Sequence, residues 1–267
     1  MIKTLYRYLN SQELIAKLRN GFDHPGIILF RGRELMALND YLRNHPLKLQ
    51  TKVLDLGCGE GFIGSIIFNK IDYGLDIVKS DLDKAKKLSV YQKVILADAK
   101  KTPFKNNFFD LVFSNSVIEH IDGIDQVLAE VARILKPGGK FIFTVPSHKF
   151  SEYLFFTDLL YNLKFRKLAK LYENKRNLLL DHYNLFDHND WKKKLALRKL
   201  SLQYNQYYLS KVDMHLWDII CISLRLSKTI VPLNRQLKKY FEKKVKSQLM
   251  KSKNVTIGAG LMIVVKK

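Results

Sequence analysis

Between residues 51 and 146, short apolar runs alternate with helix-patterned segments, and this alternation restricts the fold more than any other feature of the sequence. "KVLDLG" (52–57) reads as a buried strand, apolar and stopped by glycine. "GFIGSIIFNK" follows with helical spacing, and "IDYGLD" (71–76) is a second strand. Residues 79–90 are expected to form an exposed, Lys-rich helix. "KVILAD" (93–98), "FFDLVFSNS" (108–116) and "KFIFTVP" (140–146) supply three more strands. "IDQVLAEVARILKPGG" (124–139) reads as an amphipathic helix closed by Pro137-Gly138-Gly139. Short strands separated by helices predict a doubly wound α/β fold with a mostly parallel sheet.

The loop after the first strand, "VLDLGCGEGFIG" (53–64), contains a G-x-G-x-x-G match at Gly59, Gly61 and Gly64. The frame is wrong for a dinucleotide, because the first glycine of that fingerprint stands where the first strand ends. The strand ends at Gly57. Gly59 then fits the second place, but the third is Phe62. The strand end instead offers Asp55-x-Gly57-x-Gly59-x-Gly61. A carboxylate two residues before the first glycine repels phosphate and can hold an ammonium group or its water. Asp55 has a plainer alternative as a cap for loop amides, and Cys58 as a small space-filler.

On these residues, segment 51–146 resembles class I S-adenosylmethionine-dependent methyltransferases of the small-molecule, methyltransferase-11-like type. "VLDLGCGEG" is similar to that family's first motif. The resemblance implies a Rossmann-like sheet of seven strands and S-adenosylmethionine as cofactor. It implies that Asp55, Gly57, Cys58, Gly59 and Gly61 surround the methionine portion, and that Asp76 and Ile77, in "GLDI", meet the ribose. Asp98 and Ala99, in "ADA", would meet the adenine, although Asp98 also suits a turn. Ser114 and Asn115, ending the fourth strand, would line the donor site. "SVIEHI" resembles the family's stretch with a Glu-His pair, and "DHYNLFDHNDWKKKL" (181–195) the one placing His182 and Tyr183 near the substrate mouth. Methyl transfer by in-line displacement rests mainly on positioning. A hydroxyl acceptor adds the need for a base within reach, for which His120, His148 and His182 are the candidates; His120 could equally pack and orient its loop.

Outside the core the pattern is looser. Residues 1–50 are expected to form a helical lid segment and 147–186, aromatic and basic, a substrate lid. Asp187 is placed to cap a helix over 187–198. A strand is expected near 200–210, then a helical insertion over 211–253, then a final strand in 255–267. The whole forms one domain with the cofactor core at 51–146 and the last elements at 187–267.

The function classes are narrowed by what is missing. "SNSVIEH" lacks the Pro-Pro-aromatic signature of base-nitrogen methylation, and no Pro-Cys nucleophile follows it. The two cysteines, Cys58 and Cys221, have no metal or disulfide spacing, which suits a reducing compartment. The first twenty residues do not read as a signal peptide. The chain carries 46 basic against 25 acidic residues, a formal charge of +21, which attracts anionic partners. In 211–253, Met214, Leu216, Trp217, Ile219, Ile220, Ile222, Leu224 and Leu226 precede a basic run from Arg235 to Lys253. Asp213, Asp218, Arg225 and Lys228 argue against a membrane span there. Apolar residues beside basic ones suit an anionic membrane surface; the alternative is a capping helix pair with a solvated basic face. The expected acceptor is a small-molecule, lipid-linked, glycan-linked or otherwise amphipathic compound. The alternatives are RNA methylation and a non-catalytic cofactor-binding relative. The expected location is the cytoplasm, with peripheral attachment at the inner membrane face as its variant.

Overall fold

The computed structural model describes residues 5–251 and 255–267. Two helices, α1 (Ser11–Gly21) and α2 (Pro25–Asn44), precede the sheet. The alternating region runs β1 (Val53–Leu56), α3 (Phe62–Ile67), β2 (Ile71–Asp76), α4 (Lys79–Ala85), β3 (Tyr91–Leu96), β4 (Phe109–Asn115), α5 (Ile124–Ile134) and β5 (Leu135–Pro146). Then come α6 (Phe155–Asn162), α7 (Arg166–Leu179), α8 (His188–Ala196), β6 (Ser201–Tyr208), α9 (Lys211–Leu226), α10 (Val231–Leu249) and β7 (Gly260–Lys266). The described residues form one seven-stranded sheet in the order β3-β2-β1-β4-β5-β7-β6. β7 runs antiparallel to both its neighbours, and the other pairings are parallel.

Strand alternation divides the core into two layers. On one face Val53, Phe113, Met262 and Val264 pack against α1, α2, α9 and α10. On the other, Leu54, Leu56, Val112, Ile263 and Val265 pack against α5 and α8. Both faces of the sheet are covered, which is why its strands read as apolar runs.

Several boundaries differ from the sequence reading. α5 stops at Ile134, and Pro137-Gly138-Gly139 lies inside β5. Leu135 already pairs with Phe109, and the register shifts before Leu111 meets Lys140. The glycines therefore serve an irregular strand start, with Gly138 at φ +79°, and not a helix stop. α4 ends at Ala85, five residues early, and β3 both begins and ends two residues early, at Tyr91 and Leu96, which leaves Asp98 beyond it. Segment 147–186 contains two regular helices, α6 and α7. The cap at Asp187 is present: its side chain accepts from the Asp190 amide at 2.9 Å.

The insertion is a helix pair between β6 and β7. α9 opens with a capping box, in which Ser210 and Asp213 satisfy each other's backbone amides. Its Met214, Trp217, Ile220 and Leu224 are buried. Those four of the eight apolar residues named above therefore belong to the core, where α9 meets α2 and α6, while Leu226 stays exposed. Lys253 of the basic run lies outside the described residues, as do the first four residues of the N-terminal segment. α2 is more than a lid: Leu29, Leu35, Leu38 and Leu42 bury it against the sheet. Among the described residues no helix is long and apolar enough to cross a membrane.

Candidate active site

The strand order reverses between β1 and β4, so the loops after those two strands diverge and leave a crevice, the usual ligand position in such sheets. Gly57 follows β1 and Ser116 follows β4. Ser116 is held in left-handed backbone at φ +48°. Its amide donates to the Thr144 carbonyl at 3.0 Å and its hydroxyl to Glu34 at 2.6 Å.

A cavity of about 260 Å³ occupies the crevice, walled by Asp55, Gly57, Cys58, Gly59, Asp76 and Asn115 together with Arg31, Ser116 and their neighbours. Gly57 and Gly59 take φ +78° and +51°, conformations that glycine alone adopts freely. A Cβ on Gly59 would meet nothing within 4 Å and would project into open space. The Asp76 carboxylate accepts from the Gly59 amide at 2.8 Å and the Val78 amide at 2.9 Å. An ionised carboxylate has about four lone-pair sites, so two remain for a pair of ribose hydroxyls. Asp55 is buried and accepts from the Tyr91 hydroxyl at 2.7 Å, not from loop amides as its alternative reading held. Burial, reinforced by neighbouring Asp76, pushes its carboxyl up to about 7 against the pull of Tyr91. An ammonium group entering beside it would restore its charge. Arg31 supplies an opposite charge for a carboxylate on the same wall. Thus the residues fit the ammonium and carboxylate of the methionine portion and the ribose of S-adenosylmethionine.

The remaining predicted cofactor residues do not wall this cavity. Gly61, at φ +80°, caps α3. Ser114 donates to the Leu56 carbonyl at 2.8 Å and ties β4 to β1. Ala99 is buried in the layer below, while Ile77 is exposed. Asp98 accepts from the Lys100 amide at 2.8 Å, the turn role already open to it.

A second cavity, about 270 Å³, adjoins the first, and Arg31 and Ser116 line both. Phe22, Phe30, Phe150 and Trp217 form its apolar wall; Glu119, His120 and His182 form the polar part. His148 lines a different cleft, with Ser151, Glu152 and Asp158. The His120 and His182 rings stand 5.5 Å apart. His120 Nδ1 lies 3.1 Å from the Asp181 carbonyl, which can only accept. In the neutral ring the proton therefore sits on Nδ1, and Nε2 carries the basic lone pair. Burial, with His120 and Arg176 nearby, lowers His182 to about 4, so it stays neutral at ordinary pH.

Sequence reasoning missed the charged cluster that joins the cavities. Arg31 Nη1 donates to Glu34 at 2.6 Å and to Asn115 at 3.2 Å. Tyr208 donates to the same Glu34 at 3.1 Å. Glu34 is fully buried, and so is Glu119, whose Oε2 has no hydrogen-bond partner. The available signal was "FRGRE" (30–34), three charges directly after the apolar run "IILF". Burial, followed by the charge of Glu34, raises the Glu119 carboxyl to about 8 against the lowering effects of its own backbone hydrogen bond and Arg31.

That shift fixes a pH dependence. A carboxyl held near 8 when folded and about 4.5 when unfolded binds its proton more tightly in the native state. Its contribution is complete below the unfolded value and is lost as pH rises toward 8. Glu119→Gln removes this term, so the variant should lose less melting temperature than the parent between pH 5 and pH 8. Thermal melts of both proteins at the two pH values check the difference; parallel losses would show that Glu119 titrates normally.

Residues 54–143 match the family described as "Methyltransferase domain". A sterol 4-C-methyltransferase of Caenorhabditis elegans is 31% identical over 129 residues, 42% of this chain and 38% of that protein. A malonyl-[acyl-carrier protein] O-methyltransferase of Legionella pneumophila is 28% identical over 149 residues, 53% and 48% of the two chains. The chain thus spans less than half the length of either relative. The crystal structure of a putative sarcosine dimethylglycine methyltransferase from Galdieria sulphuraria superposes with a TM-score of 0.56 at 14% identity, over 86% of this chain and 82% of that one. That likeness shows the fold alone. With the glycine loop, the Asp76 carboxylate and the strand order in agreement, the chain carries, over residues 54–143, a class I methyltransferase domain of the S-adenosylmethionine-dependent kind.

Proposed function

We propose that this chain transfers a methyl group from S-adenosylmethionine to an acceptor with an apolar body and one polar, reacting end. The observation that carries this reading is the pair of adjoining cavities with Arg31 and Ser116 in the wall of both. Bound cofactor supplies an electrophilic methyl group on a sulfonium. The chain's own task is to hold that group and the acceptor in line and to exclude water. The loop from Gly57, with Asp55, Asp76 and Arg31, orients the donor. Phe30, Phe150 and Trp217 seat the acceptor body. His120 Nε2 takes the proton where the acceptor is a hydroxyl.

The wall chemistry favours a lipid-linked or otherwise amphipathic acceptor over a glycan. Sugar hydroxyls require many polar partners, and four aromatic rings offer almost none. The two relatives act on a sterol and on malonyl-[acyl-carrier protein]. The acceptor here is therefore read from the cavity and not from them.

The test supplies cofactor labelled in its methyl group to a cell extract with the purified protein. The extract is then separated into lipid, RNA and soluble metabolites. Label should enter the lipid fraction. Label in RNA would replace the acceptor. No label anywhere, with cofactor binding intact by calorimetry, would make the chain a non-catalytic binder.

A further inference from the structure

We propose that the outer face of α7, with the α6–α7 turn, docks on an anionic lipid surface. The observation is an inverted helix. α7 buries Ala169, Glu173 and Arg176, one small residue and two charges at helical spacing. It turns Leu168, Leu171 and Leu178 outward, at 53%, 63% and 78% exposure. Leu163 and Phe165 extend the apolar surface into the turn and are more than half exposed. Folding of this chain gives no reason for such an arrangement, because leucine on the water side contributes nothing to the core. The inward charges, by contrast, are paired, although Arg176 Nε has no hydrogen-bond partner. Arg176 pairs with Asp218 at 3.4 Å and stacks over Trp217, and Glu173 pairs with Lys170 at 2.8 Å.

The charge around the leucines selects the occupant. Lys164, Arg166, Lys167 and Lys175 are exposed among them. Glu173 is the one acid between residues 163 and 179, and it is buried. Apolar side chains ringed by cations match the boundary between acyl chains and anionic headgroups. A second copy of this chain suits the face poorly. An isologous contact would set these four cations against their own counterparts, in a protein of net charge +21. RNA suits it poorly as well, since Phe165 alone among its apolar side chains can stack on a base.

The position fits the aromatic cavity. Leu180 and His182, just past the end of α7, line that cavity, and so does the half-exposed Ile27. A docked α7 would therefore bring the cavity close to the lipid. The docking does not rest on methyl transfer, and partition onto vesicles reads it without cofactor. The α7 face is a different surface from 211–253, where Met214, Trp217, Ile220 and Leu224 are buried while Leu226, Ile230 and Val231 are exposed.

Sedimentation with vesicles of roughly equal phosphatidylglycerol and phosphatidylcholine tests the proposal, with phosphatidylcholine alone as the comparison. The intact chain should bind the anionic vesicles, weakening with salt. The double variant Leu168→Gln, Leu171→Gln leaves the charge unchanged and removes only exposed side chains. It should keep the parent melting temperature and lose at least about tenfold in partition. Replacing Lys238, Lys239, Lys243 and Lys244 by Gln in α10 should cost much less. Absence of vesicle binding in the parent, equal binding to neutral vesicles, or loss confined to the α10 variant would each overturn the proposal. So would a dimer in sedimentation velocity that the leucine variant dissociates, or RNA binding lost in that variant while vesicle binding persists.

Discussion

Gly59→Val is expected to weaken S-adenosylmethionine binding at least about 100-fold, or about 2.7 kcal/mol, while the fold survives. The two effects separate because of where a side chain would go. In the free protein a Cβ at this position meets no atom within 4 Å. The cost to folding is therefore the left-handed backbone at φ +51°, about 1–2 kcal/mol for a residue with a Cβ. For a chain of this size, that lowers the melting temperature by roughly 2–8 °C. In the complex the same open space belongs to the ligand, and the Gly59 amide must keep its 2.8 Å bond to Asp76. An isopropyl group inside a cavity of about 260 Å³ opposes both. Gly57→Val is the contrasting case: its Cβ would clash with the Val117 side chain, so it should damage the fold itself. Calorimetry with parallel thermal melts separates binding from folding. Normal affinity in Gly59→Val would remove this loop from the cofactor site.

The sheet was legible in the sequence because its strands are covered on both faces. Such strands leave continuous apolar runs, such as "KVLDLG", that end at glycine. The end of α5 was not legible. Pro137-Gly138-Gly139 looks like a helix stop, yet Leu135 has already joined β4 across a register shift. Long-range pairing decides that boundary, and no local signal carries it. α6 and α7 were missed for a different reason. Periodicity assumes that apolar residues face inward, and α7 reverses this, with Leu171 out and Arg176 in. On the cofactor side, Asp55, Gly57, Gly59 and Asp76 do line one cavity. Of the three histidines, His120 and His182 share the second cavity and His148 does not. Arg31 and Glu34 reach the site only through tertiary packing: Arg31 bonds Asn115, 84 residues away, and Glu34 bonds Tyr208, 174 away.

That cluster yields the second large effect. Glu34→Ala is expected to cost about 3 kcal/mol of stability at pH 7. The buried carboxylate accepts from Arg31, Ser116 and Tyr208, and its removal leaves three donors behind. Breaking a buried pair by deleting one partner costs about 3–5 kcal/mol, because the surviving charge loses its compensation. Here the expected loss falls at the lower end. Glu119 stands in the same cluster, and Glu34 is among the causes that keep it protonated. Once Glu34 is gone, Glu119 can ionise and partly compensate Arg31. This exchange has its own signature. Burial still raises the Glu119 carboxyl, but without the charge of Glu34 it favours the native state less through protonation, so the stability loss that it causes between pH 5 and pH 8 should shrink in Glu34→Ala. Denaturant titrations at both pH values, on Glu34→Ala, Glu119→Gln and the double variant, close the cycle. The double variant should cost more than the sum of the two single changes, since it leaves Arg31 with neither carboxylate. Simple additivity would show that the two carboxyls act independently and that Glu119 does not take over the pairing.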